Sequence, residues 1–259
     1  MSKDKNERAI VVPGEIVSED SSKLPGENTY KENGKIVASR FGVVDDLGKV
    51  IKIVPISGVY EPRRGNNVIG IVTDITFNGW LMDIDCSAGG FLPLMDYPRF
   101  VNKNDLEEHL RIGDVVYAKI MGVKKKGIDL TMKQRGLIKI EGGILIKVNA
   151  QKIPRVIGKE GSMIITIRNA TGCRIIAGQN GLVSIRGEDK DLELLTIKAI
   201  RFVEENSLTS GLTDKVTEML TAELKRLGKK PQIVPQEESF GEAEESSESK
   251  DNKTEGDEE

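Results

Sequence analysis

The 259-residue sequence predicts a multidomain chain of β and α+β class. In order it reads as a small N-terminal β unit, a five-stranded barrel, a β-α-α-β-β-α domain and a disordered acidic tail over residues 231–259. Three observations carry that reading. Short β-branched and aliphatic runs recur at regular spacing up to about residue 136, with glycine at the corners. The period then changes, and helical apolar spacing alternates with short strands. Residues 236–259 hold 11 acidic and 2 basic residues and almost no aliphatic ones. Such a segment cannot bury enough surface to offset its ordering entropy.

Residues 1–64 form the first unit. Ile10-Val11-Val12 meets Pro13-Gly14, and Lys35 to Ala38, Phe41 to Val44 and Lys49 to Val54 are further strand-like runs. The unit is too short to be stable alone and is expected to pack on its neighbours. Residues 65–136 continue with Asn67–Val72, Trp80–Asp85, Gly90–Leu94, Asp114–Ile120 and Gly127–Met132. Five short strands within about seventy residues suit a Greek-key barrel of the OB type. Leu106 to Leu110 would supply its short helix.

Residues 137–230 change character. A strand at Gly143–Val148 leads through Ile153–Ile157 to Gly158-Lys159-Glu160-Gly161, and the isoleucine-rich Ser162–Thr171 follows. Its isoleucines favour a strand. Ser162 as a cap and Gly172 as a stop favour a helix, and helix is the reading adopted. Arg174–Ala177 and Leu182–Arg186, joined through Asn180-Gly181, form a hairpin. Asp191–Glu204 and Thr213–Leu227 are amphipathic helices.

Composition excludes several functions. Cys86 and Cys173 cannot build a disulfide framework or a Cys-only zinc site, and the single His109 cannot supply a paired-His site. No apolar run approaches the ~20 residues of a membrane span, and the N-terminus lacks a secretory signal. The expectation is a cytoplasmic protein without membrane contact, cofactor or bound metal. The net charge of −3 hides a division: before residue 236 there are 30 acidic and 36 basic residues, a net of +6. A mildly basic body suits a nucleic-acid partner. The acidic tail would compete with it, so truncation after Val234 should tighten binding at low salt.

The candidate site centres on Gly158-Lys159-Glu160-Gly161. Paired glycines let another backbone approach, and the helix starting at Ser162 points its unpaired amides into the turn, an environment that suits a phosphate. The spacing is not that of a mononucleotide P-loop. Arg155, Arg168 and Arg174 are candidate steering charges, and Ile157 and Ile164 candidate walls of an apolar groove. On the barrel the candidates are Phe77, Trp80, Phe91 and the hairpin tip Lys124-Lys125-Lys126. Phe77 and Phe91 suit core and stacking surface equally.

With its flanking elements, Val156-Ile157-Gly158-Lys159-Glu160-Gly161-Ser162 resembles a KH domain of type I. Gly70-Ile71-Val72, Gly79 to Ile84, Gly90 to Pro93 and Gly113-Asp114 resemble the OB-type RNA-binding domain named after ribosomal protein S1. This domain order, with Val12-Pro13-Gly14-Glu15 and Tyr60 to Gly65, is similar to the RNA-binding cap subunits of the archaeal exosome. The resemblance implies a non-catalytic subunit that binds single-stranded RNA and guides its 3′ end. The partners it implies are a hexameric ring of RNase-PH-like subunits, docked through the N-terminal unit, and further cap copies on that ring. Two departures stand out. Glu160 places a carboxylate beside the expected phosphate, and the aromatic usual on the second barrel strand aligns with Leu81, leaving Trp80 one position early. Gly158→Asp with Gly161→Asp is expected to weaken RNA binding in a folded protein.

Two other readings remain: a ribosome- or translation-associated RNA-binding factor, and a self-sufficient metal-dependent ribonuclease. In the second, Asp83 and Asp85, two apart on one strand and so on one face, would hold the metal.

Overall fold

The structure, a computed structural model, describes residues 9–20, 22–103, 105–125, 127–209 and 211–230. The acidic tail and Lys126 lie outside the described residues.

Among the described residues the N-terminal unit has seven short strands: β1 (Ile10–Val11), β2 (Ile16–Ser18), β3 (Leu24–Pro25), β4 (Thr29–Glu32), β5 (Lys35–Ala38), β6 (Gly42–Asp46) and β7 (Val50–Pro55). They make two small sheets, ordered β1-β6-β7-β3 and β2-β5-β4. Only a few residues are buried between them, chiefly Val11, Ile36, Val37, Ala38, Ile51 and Ile53. So small a core needs help from neighbours. The unit faces the C-terminal domain across a cleft that Val43, Val44, Val54, Pro55 and Ile56 line on one side, and Gln151, Lys152, Arg155 and Leu208 on the other.

The barrel strands are β8 (Asn67–Thr76), β9 (Gly79–Asp83), β10 (Gly90–Pro93), β11 (Val115–Lys124) and β12 (Gly127–Thr131), with helix α1 (Leu106–His109) between the third and fourth. The order β12-β10-β9-β8-β11 is closed by β11 pairing with β12. Period-two alternation builds the interior. In β9, Trp80 and Met82 point inward while Leu81 and Asp83 face solvent. Ile69, Leu92, Ile120, Ile128 and Leu130 complete the packing. Each such side chain contributes roughly 1.5–3 kcal/mol by leaving water. A sixth strand, β13 (Lys139–Ile140), pairs with β11, and Leu137 is buried in the barrel core.

The C-terminal domain runs β14 (Ile144–Lys147), α2 (Ile153–Ile157), α3 (Ser162–Thr171), β15 (Arg174–Ala177), β16 (Leu182–Arg186) and α4 (Lys190–Glu205). A last helix, α5 (Leu212–Arg226), packs on α3 and α4. The isoleucine-rich segment is a helix because Met163, Ile167 and Thr171, four apart, all reach the core. It stops at Gly172, at φ 69° with its amide bonded to the Arg168 carbonyl at 2.7 Å. Its start differs from expectation. Gly161, in the left-handed region, occupies the cap position, and Ser162 is the first helical residue with no capping bond from its side chain.

The antiparallel sheet β14-β16-β15 is covered on both faces. Ile146, Ile175, Val183 and Ile185 pack under the helices, while Leu145, Ile176 and Leu182 pack against the barrel. The β15–β16 turn is the fastener. Asn180, buried, donates through Nδ2 to the carbonyls of Ile69 (2.7 Å) and Ile84 (2.9 Å), and its Oδ1 accepts from the Ile69 amide at 3.2 Å. Beside it Gln179 and Asn67 exchange two bonds, at 2.8 and 3.1 Å. Lys147 pairs with Asp85 at 2.7 Å across the same seam. Barrel and C-terminal domain are thus one packed body. Among the described residues no helix is long and apolar enough to cross a membrane.

Candidate nucleic-acid interface

The turn between α2 and α3 is built by its glycines. Gly158 lies at φ 77° and Gly161 at φ 78°. A Cβ at Gly158 would sit 2.6 Å from the Met163 amide nitrogen, so this position has no room for a side chain. Gly161 has room but a backbone that other residues rarely adopt. Between them Lys159 and Glu160 are exposed, and Glu160 holds φ 54° without being glycine. The double Asp variant is therefore not a clean probe, because at Gly158 it would push the turn apart.

Around the turn, Ile157 and Ile164 are half-buried and rest on the domain core, as does Ile175 of the edge strand β15. Ile157, at the end of α2, and Ile164, in the first turn of α3, put apolar surface behind a turn that presents backbone and charge. Arg155 is exposed in the cleft toward the N-terminal unit. Arg168 is partly buried, and its Nε is enclosed without a hydrogen-bond partner. The structure brings Arg155, Ile157, Gly158 to Ser162 and Ile164 together at one end of the domain, with Arg168 further along α3.

The barrel surface is less basic than its sequence suggests. Leu81, Phe91 and Asp129 stand side by side across β9, β10 and β12. Lys124 pairs with that aspartate at 2.6 Å, so part of its charge is already used. Lys125 is exposed at the tip. Phe91 is half-buried against Gly79, whereas Phe77, 78% exposed, projects from the β8–β9 turn.

Trp80 requires a correction. It is 0% exposed, its Nε1 donates to the Leu110 carbonyl at 3.2 Å, and its ring packs against Tyr97 at 5.3 Å. Strand alternation turns it inward, so it cannot stack on a base. Exposed apolar side chains that sequence reasoning missed are Met95 and Phe100, 82% and 89% exposed. Met95 adjoins the Phe77 turn, since the Leu94 amide bonds the Asn78 carbonyl at 3.0 Å. The available signal was an aromatic stranded in the polar run Tyr97-Pro98-Arg99-Phe100.

The aspartate pair also differs from expectation. β9 ends at Asp83, and Asp85 lies past it at φ 55°, so the two do not share a strand face. Asp83 accepts the Asp85 amide, and Asp85 is held by Lys147. Among the described residues no group of three His, Cys, Asp or Glu is placed to hold a metal. Cys173 is buried and Cys86 half-buried, and His109 packs edge-on against Tyr97.

Fold and surface together define a class: a chain whose OB-type barrel is followed by a type I KH domain, both nucleic-acid-binding modules. Residues 60–133 match the S1 domain of the exosome complex component RRP40, and residues 143–195 match the KH domain. Residues 10–45 match the N-terminal region of the exosome complex exonuclease RRP4. Exosome complex component Rrp4 of Methanobrevibacter smithii is 40% identical over 214 residues, covering 82% of this chain and 70% of the relative. The Rrp4 of Pyrococcus furiosus is 38% identical, with 85% of each chain covered, and that of Methanothermus fervidus 39%, with 83% and 96%. A crystal structure described as an exosome complex RNA-binding protein superimposes with a TM-score of 0.59 at 30% identity, over 66% of this chain and all of that one. The chain belongs to the Rrp4 family of exosome complex components.

Proposed function

We propose that this chain is a non-catalytic cap subunit of the exosome that binds single-stranded RNA and guides its 3′ end into a ring of RNase-PH-like subunits. The observation that carries the reading is the Gly158–Gly161 turn. It is an open, glycine-built loop with the first amides of α3 behind it and the apolar Ile157 and Ile164 beside it. A KH domain uses such a loop to clamp about four nucleotides by their backbone while bases lie on apolar side chains. Arg155, Lys159, Glu160 and Ser162 would be its polar surroundings, with Arg168 further along α3. On the barrel, Phe77, Phe91, Lys124 and Lys125 would make a second, less selective grip.

The N-terminal unit would dock on the ring. Its exposed Ile10, Val12, Ile16, Leu24 and Leu47 are an unusual apolar load for so small a unit. Several caps on one ring would multiply weak single-chain affinities through effective concentration.

Reconstitution tests the proposal. Light scattering after size exclusion should show the chain joining RNase-PH-like subunits, and the assembled complex should trim labelled RNA faster than the ring alone. The chain by itself, with magnesium or manganese and phosphate, should leave RNA intact. Trimming by the chain alone would replace the cap reading with the nuclease one. Failure to join the ring, together with binding to ribosomal particles, would replace it with the translation-factor one.

A further inference from the structure

On the barrel-facing side of the KH sheet, Arg174 of β15 stands directly opposite Arg186 of β16. Like charges opposed across antiparallel strands are destabilising. Neither arginine has a carboxylate partner among the described residues. Arg186 donates through Nη1 to a neutral acceptor, the Glu141 carbonyl, at 2.7 Å, and Arg174 is exposed. The nearby Lys139 is already matched by Asp114 at 2.6 Å. The two guanidinium groups line a cleft of about 100 Å³ between β13 and the sheet, where Ile138, Ile140 and Ile176 alternate with Ser184 and Glu141. Two fork-shaped donors without a carboxylate partner fit an oxyanion with two accessible oxygens.

We infer that Arg174 and Arg186 form a second phosphate subsite for the RNA strand, at the seam where KH domain and barrel meet. This deepens the reading under Proposed function and rests on it. β15 is the edge strand and packs against α3, and Ile175, on its helix-facing side, rests on the same core as Ile164. Arg174 precedes it on the opposite side. A strand leaving the groove over this edge reaches the arginine pair before the barrel. The Gly158–Gly161 turn lies at the other end of α3, ten residues or ~15 Å away, so the two phosphate subsites are distinct. The pair thus joins the KH grip to the barrel grip along one path.

The test uses the full chain and a labelled 12-nucleotide single-stranded RNA, with fluorescence anisotropy over a range of salt. Arg174→Gln with Arg186→Gln should weaken binding about fivefold or more at low salt. The slope of log affinity against log salt should become shallower by about 0.7 for each phosphate that is no longer neutralised. Thermal stability should be unchanged or higher, because a like-charge pair is removed. The weakening should add to that of Lys159→Gln, since the two sites are separate. Unchanged affinity and slope would overturn the inference and leave the arginines to some protein surface. A drop in affinity with an unchanged slope would overturn it too, marking them as structural. If the wild-type chain binds no RNA at all, the fault lies with the proposed function and not with this pair.

Discussion

Glu160 is the residue where local strain and ligand chemistry conflict. Its φ of 54° is one that non-glycine residues other than Asn and Asp seldom hold, and its carboxylate stands in the turn where a phosphate would lie. Glu160→Asn addresses both, since Asn tolerates the left-handed region and carries no charge. One unit charge a few ångströms from a phosphate in water is worth about 1 kcal/mol, roughly fivefold in affinity. Anisotropy titrations at low salt should show the variant binding that much more tightly, with the gain shrinking as salt rises. Equal affinity at low salt would mean that no phosphate approaches this turn. The glycines themselves were readable in the sequence, but their different roles were not. Only three-dimensional packing reveals that Gly158 is steric, against the Met163 amide, as well as conformational, and that Gly161 is conformational alone.

At the scale of elements, what could be read depended on whether periodicity was local. The inward turn of Trp80 follows from strand alternation in Gly79–Asp83, and the helical character of Ser162–Thr171 from its stop at Gly172, whereas its other signal, Ser162 as cap, fell one residue late. β13 was not legible, because two residues carry no period and its reason for existing is distant. It is pinned to β11 by pairing and by the ion pair of Lys139 with Asp114. Asp114 also accepts the Arg111 amide at 2.7 Å in the turn leading into β11. Burial pushes the Asp114 carboxyl up, but the bonds from Lys139 and Arg111 outweigh it and hold the group below its ordinary value. A depressed folded-state pKa means stabilisation that is present above the unfolded value near 4 and is lost as pH falls through the folded one. Asp114→Asn should therefore cost about 1 kcal/mol at pH 7. Urea midpoints taken from pH 7 down to about pH 2.5, below the unfolded carboxylate value, should show the gap between wild type and variant closing in acid. A gap that stays constant throughout would sever Asp114 from the acid response.

For the whole molecule, the decisive contact is the one by which the KH sheet lies on the barrel. A trace of it is visible in the sequence, because Ile144-Leu145-Ile146 and Ile175-Ile176 are apolar on both faces, as strands covered on two sides are. What covers the second face could not be read, and Asn180-Gly181 signalled only a hairpin. Asn180 instead supplies three bonds to the barrel and makes two RNA-binding modules one body. A pair of sites held in fixed geometry gains from effective concentration only while the geometry persists. Asn180→Asp keeps the shape but turns the group that donates to the Ile69 and Ile84 carbonyls into an acceptor. Asn180→Ala removes the group and leaves the barrel backbone unpaired. The alanine variant should cost about 2–3 kcal/mol, and the aspartate variant more, since it buries an unmatched charge. Denaturant unfolding would rank them. In the same proteins, affinity for an RNA long enough to span both modules should drop, while affinity for a tetranucleotide, which the KH grip alone can hold, should not. If short and long RNAs weaken equally, the seam serves only to stabilise the KH fold, and the two grips do not act through their shared geometry.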